Sequence, residues 1–104
     1  MQTQEDILEF LEILKPKLSQ DGIEALGIFG SFAKNTNTQY SDIDIVYKSS
    51  ETFRKKFQGW KAFTYLNENL RDKIEKHFHT KVDLFDLESK SAIREKVEKE
   101  AIYV

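Results

Sequence analysis

Three aspartates and a glycine–serine pair carry the chemistry this sequence can offer. Gly30-Ser31 follows an apolar stretch, ten residues intervene before Asp42-Ile43-Asp44, and Asp83 lies in a later apolar segment, KVDLFDL. Glycine lets a ligand approach the backbone closely, and N–H groups at a helix start attract phosphate oxygens. Ser31 adds a hydroxyl donor at the same place. Two carboxylates at i and i+2 of a strand project from one face and repel each other unless a cation lies between them. Hard divalent cations want oxygen ligands, so Asp42 and Asp44 could bridge two ions roughly 3.5–4 Å apart, with Asp83 completing the shell of the second ion. Lys34 could offset charge on a bound triphosphate. These residue types in this order point to metal-assisted phosphoryl transfer.

The elements that must position these groups are readable from hydrophobic spacing. Residues 5–19 form a helix with Ile7, Leu8, Leu11, Leu14 and Leu18 on one face. Pro16 should distort its last turn, and Gln20-Asp21-Gly22 stops it. Residues 23–29 read as a buried strand, followed by a tight turn into a helical turn at 30–34 and a polar loop at 35–39. Residues 43–48 form a second strand with Ile43, Ile45 and Tyr47 on one face and Asp42, Asp44 and Val46 on the other. Residues 51–77 are helical, with Phe53, Phe57, Trp60, Phe63, Leu66, Leu70 and Ile74 in phase and Gly59 able to split the run. Residues 81–87 form a third strand with Val82 and Leu84 opposite Asp83 and Phe85. A last helix carrying Ile93 and Val97, capped by Ser89 or Ser91, precedes the tail Ala101-Ile102-Tyr103-Val104. The sum is a small α/β (α+β) domain, one mixed sheet with flanking helices.

Composition narrows the classes. At 104 residues the chain is expected to be one domain. It has no cysteine, which excludes disulfides and thiol catalysis. A net charge of -2 gives no basic field for nucleic acid, so direct nucleic-acid binding is not expected. The start, MQTQEDILEF, is polar and acidic where a signal peptide would be basic and then apolar. No run approaches the roughly 20 apolar residues of a membrane span. A cytoplasmic location, away from membranes, is the expectation.

The string GSFAKNTNTQYSDIDIVY resembles the Gly-Ser, ten residues, Asp-x-Asp signature of the DNA polymerase β-like nucleotidyltransferases. More narrowly, the chain looks like the minimal MNT-type members that act as antitoxins beside HEPN-domain toxins. The resemblance covers most of the chain, with KVDLFDL and the closing REKVEKEAIYV in family order. It implies a single nucleotidyltransferase domain over residues 1–104. In it Gly30, Ser31, Lys34 and Ser41 would contact the nucleotide, and Asp42, Asp44 and Asp83 would be both the catalytic and the metal-binding acids. Lys34 stands where the family frequently has Arg, a less fork-like contact. The implied activity is Mg²⁺-dependent transfer of AMP from ATP to a tyrosine hydroxyl of a HEPN RNase toxin, with Mn²⁺ able to replace Mg²⁺. Two other functions compete: a stoichiometric antitoxin that blocks its partner by binding, and a stand-alone nucleotidyltransferase for a small molecule or RNA.

Each feature has a plainer reading. An isolated Asp-x-Asp usually only solvates a loop, but an apolar strand makes unpaired charges costly, and the Gly-Ser turn stands at the matching distance. Asp86 competes with Asp83 as the third acid. His77 and His79 are ordinary at the end of a charged helix. Arg54-Lys55-Lys56 reads as a solvated face between Phe53 and Phe57, and the aromatic series from Phe53 to Phe63 reads as core.

Overall fold

The computed structural model describes residues 2–104. Helix α1 (Gln4–Gln20) starts at Thr3, whose hydroxyl accepts from the Asp6 N–H at 3.2 Å while the Asp6 carboxylate accepts from the Thr3 N–H at 2.9 Å. This reciprocal cap satisfies two otherwise orphaned donors. The helix runs through Pro16 to Gln20, and Gly22 at φ 105° turns the chain into β1 (Ile23–Phe29). Ile7, Leu11, Leu14 and Leu18 are buried, as the spacing predicts.

Strand β1 leads directly into α2 (Gly30–Lys34), which Asn35 closes in the left-handed conformation. After the polar loop comes β2 (Ile43–Ser49). Helices α3 (Glu51–Lys56), α4 (Trp60–Leu66) and α5 (Asp72–Phe78) then lead to β3 (Val82–Asp86). Helix α6 (Arg94–Glu100) and the short β4 (Ile102–Tyr103) follow. The sheet order is β3-β2-β1-β4, with β1 antiparallel to both neighbours and β2 parallel to β3. A parallel pair requires a long crossover, and the α3–α5 segment supplies it.

The helical region expected over 51–77, which Gly59 is able to split, is broken twice. Gly59, at φ 57°, ends the link after α3, and Asn67–Arg71 form a π-helical turn between α4 and α5. The widened turn keeps Leu66, Leu70 and Ile74 all buried. The break at Gly59 re-aims α4, so Tyr65 enters the core while Trp60 and Phe63 are 81% and 57% exposed. Those two are not core residues. Ile93, placed in the last helix by its spacing, precedes α6 and is half exposed, whereas Val97 is buried.

The two faces of the sheet bury different amounts. Ile28, Ile43, Ile45 and Val82 join the residues of α1 with Leu70 and Ile74 in the main core. On the other face Val46, Leu87 and Val97 form a smaller cluster with Phe29, Phe85 and Ala101. The alternation along β2 read from the sequence is therefore real, and the face that carries the acids is covered only in part.

Asp21 ties the far end of the sheet together. Its carboxylate accepts from the Tyr65 hydroxyl at 2.5 Å and pairs with Lys56 at 3.1 Å and Lys17 at 3.3 Å. The Tyr65 hydrogen bond foremost, then Lys56, lowers its pKa to about 2. Because the folded pKa lies below the ordinary one, the stabilisation is present above about pH 4 and disappears as pH falls through 2. Asp21→Asn is expected to cost about 1–2 kcal/mol at pH 7. Urea unfolding checks this, and the gap between the two proteins should close toward pH 2.

Candidate active site

Register places the acids. Across the antiparallel β1–β2 pair Phe29 lies opposite Asp44, and across the parallel β2–β3 pair Asp44 lies opposite Asp83. Neighbouring strands are about 4.8 Å apart, and residues in register share a face, so Asp44 and Asp83 stand side by side. Asp42 precedes β2 by one residue and shares the Asp44 side of the strand. The Ile43 N–H donates to the Lys81 carbonyl at 2.9 Å, pinning the start of both strands. Asp42 and Asp44 are half-buried and Asp83 is exposed.

Gly30 closes the site from the β1 side. It has φ 70°, and a Cβ there would overlap the Asp44 carboxylate. No other residue type fits this bend without moving Asp44, so the Gly-Ser turn and the acidic pair are in direct contact. Ser31 follows within α2, with its carbonyl accepting from the Thr36 N–H at 2.9 Å.

The crowding has an electrostatic signature. Burial first, then the charges of Asp83 and Asp42, raise the Asp44 pKa to about 6. Among the described residues, no group of three or more histidine, aspartate or glutamate side chains is arranged so that it could hold a metal ion. The three aspartates are neighbours whose like charges favour separation. The oxygen chemistry of these carboxylates, and the crowding that raises the Asp44 pKa, suit a hard divalent cation.

The remaining expected residues are placed less directly. Lys34 ends α2, and its ammonium lies 3.4 Å from the Glu100 carboxylate of α6. The Ser41 hydroxyl accepts from the Thr38 N–H at 2.9 Å and so holds the loop before Asp42. Asp86 does not share the face of Asp83. It pairs in register with Tyr47, on the main-core side, and its carboxylate accepts from the Glu88 N–H at 2.8 Å. Burial, helped by Asp86, pushes the Tyr47 hydroxyl up to about 12. His77 stacks on Phe10 with ring centroids 4.1 Å apart, and His79, at φ 52°, terminates α5.

Sequence reasoning missed the approach of α6. A cleft of about 200 Å³ opens beside Gly30, bounded by Phe29 and Lys34 on one side and by Ile93, Val97 and Glu100 on the other. The only local signal was the helical spacing that aligns Lys96 with Glu100. Nothing in that spacing told which partner they would meet.

The family described as Polymerase beta, nucleotidyltransferase matches residues 12–104, and the chain belongs to that family. One solved structure, assigned as a minimal nucleotidyltransferase, is 20% identical with a TM-score of 0.71, covering 97% of this chain and 95% of its own. A toxin–antitoxin MntA-HpeT mutant with two aspartates changed to glutamate is 21% identical with a TM-score of 0.61, covering 98% and 72%. A toxin–antitoxin structure with AMP-PNP is 24% identical with a TM-score of 0.56, covering 88% and 70%. At these identities the likeness is one of fold. None of the curated proteins compared with the chain matches it. No helix among the described residues is long and apolar enough to cross a membrane.

The raised Asp44 pKa sets a testable pH dependence. With the folded pKa near 6 and the ordinary value at 3.8, Asp44 favours folding below about pH 4 and loses that contribution as pH rises through 6. In chelator-treated buffer, Asp44→Asn should be about 1–2 kcal/mol more stable than wild type at pH 7, after discounting for partial solvation. The advantage should vanish near pH 4. Denaturant melts across that range measure it.

Proposed function

We propose that this chain is a metal-dependent nucleotidyltransferase antitoxin that transfers AMP from ATP to a tyrosine hydroxyl of a partner HEPN RNase toxin. The observation that carries the reading is the register-fixed contact of Gly30 with Asp44, and of Asp44 with Asp83. Two neighbours in fold support the setting, one a toxin–antitoxin pair with two aspartates altered two positions apart, the other solved with AMP-PNP. Asp42 and Asp44 have that same spacing.

In this reading residues 1–104 act as one nucleotidyltransferase domain. Asp42, Asp44 and Asp83 would hold two Mg²⁺ ions, which when bound would supply positive charge to the triphosphate and acidify the acceptor hydroxyl; Mn²⁺ shares the oxygen preference. The N–H groups of Gly30 and Ser31 face the phosphates. Lys34 exchanges Glu100 for a phosphate oxygen, and Ser41 keeps the loop that presents Asp42. The tyrosine oxygen attacks the α-phosphorus, the bond to the β-phosphate oxygen breaks, and pyrophosphate leaves. Asp83, the exposed acid, takes the hydroxyl proton. Positioning and fixed charge do most of the catalytic work.

The test is to combine the chain with the protein encoded beside it, Mg²⁺ and ATP, and to weigh the partner intact. Addition of AMP is the expected result, and an unchanged mass with all four nucleoside triphosphates contradicts it. Asp42→Asn with Asp44→Asn should lower transfer by about 10³-fold while the complex still forms. If toxin neutralisation survives that double change, the chain acts by binding alone. If ATP instead marks a small molecule or RNA with no partner present, the acceptor is misassigned. Lys34→Ala should raise the KM for ATP about 3–10-fold with a smaller effect on kcat, read from initial rates.

A further inference from the structure

An exposed pair of aromatic side chains lies at the end of the sheet remote from the acids. Trp60 and Phe63 of α4 are 81% and 57% exposed and meet edge to face at 5.8 Å. Beside them runs a groove of about 490 Å³, bounded by Trp60, Lys61, Thr64 and Glu68 among others. Its floor residue Tyr65 is bonded to Asp21, two residues before β1 begins. The seven residues of β1 then run about 20 Å to Gly30 and the aspartates.

Charge along this surface is bipolar. Lys61 lies at one end and Glu68 at the other, and among the described residues neither has an ion-pair partner. Thr64, a small residue, is midway. A two-fold axis beside Thr64 would pack α4 antiparallel against its copy, and such an interface is self-complementary. Lys61 then meets Glu68 of the partner subunit, and the same pair recurs across the axis. Trp60 and Phe63 would be covered in both copies.

We infer that the Trp60–Phe63 face of α4 is a homodimer interface, joining two copies about a two-fold axis near Thr64. Covering the exposed parts of two large aromatic side chains per copy removes about 100–200 Å² for each, which with the lysine stems approaches the smallest specific interfaces. The pairing is therefore weak, with a dissociation constant on the order of 10 µM. It leaves both acidic sites open, so each copy keeps access to nucleotide and acceptor. The inference is independent of the proposed reaction.

Sedimentation equilibrium from about 5 to about 500 µM tests it. The wild-type mass should rise from monomer toward twice that value. Trp60→Ala with Phe63→Ser should remain monomeric with an unchanged thermal melt, because both side chains are exposed. Lys61→Glu should weaken association about 10-fold, and adding Glu68→Lys should restore it. A wild type that stays monomeric throughout overturns the inference, including the case in which only a different protein protects Trp60. So does a charge swap that fails to restore pairing, or a Trp60→Ala, Phe63→Ser protein that dimerises like wild type.

Discussion

The parallel pairing of β2 with β3 holds Asp44 against Asp83, and the candidate site depends on it. Without that register the third acid would be elsewhere, and Asp42 with Asp44 would be an ordinary acidic pair. Parallel strands cannot be joined by a tight turn. The fold therefore has to spend α3 to α5 on a crossover, and the apolar residues of that crossover make up much of the main core. Ile43 and Ile45 are fully buried on one side of β2, which fixes Asp42 and Asp44 on the other. Hydrophobic burial sets where the charges stand, even though the charges oppose folding locally.

Much of this was legible in the chain, for identifiable reasons. Strand alternation has a period of two, so the faces of β2 and β3 could be assigned from Ile43-Asp44-Ile45 and Val82-Asp83-Leu84 alone. The same rule separates Asp83 from Asp86, though only the structure shows Asp86 bonded on the Tyr47 side. The helical middle was less readable. Aromatic residues three or four apart mark one face of a helix but do not say whether that face is buried. The bend at Gly59 and the π-helical turn at Asn67–Arg71 rotate successive pieces, so Leu66 and Leu70 go inward while Trp60 and Phe63 go outward. The Lys34–Glu100 pair joins segments distant in sequence, and no local pattern encodes it.

The two ends of the sheet have different characters. At one end a glycine bend abuts Asp44, and a cleft between that bend and α6 opens beside it. At the other, Asp21 clamps α1, α3 and α4 through two lysines and the Tyr65 hydroxyl. That clamp gives α4 a rigid base, so its outward aromatic face is presented in a fixed orientation. The proposed site and the inferred contact face are thus separated along β1, an arrangement in which engaging one surface would not obstruct the other.

The proposed function rests on Asp42, Asp44 and Asp83, beside the Gly30 bend, holding metal ions. Crystals grown with Mn²⁺ and AMP-PNP, examined by anomalous scattering, address it most directly. Density peaks bounded by the carboxylates of Asp42, Asp44 and Asp83, with the nucleotide phosphates against Gly30 and Ser31, are the expected result. Manganese bound away from these side chains, or nucleotide seated elsewhere, would contradict it.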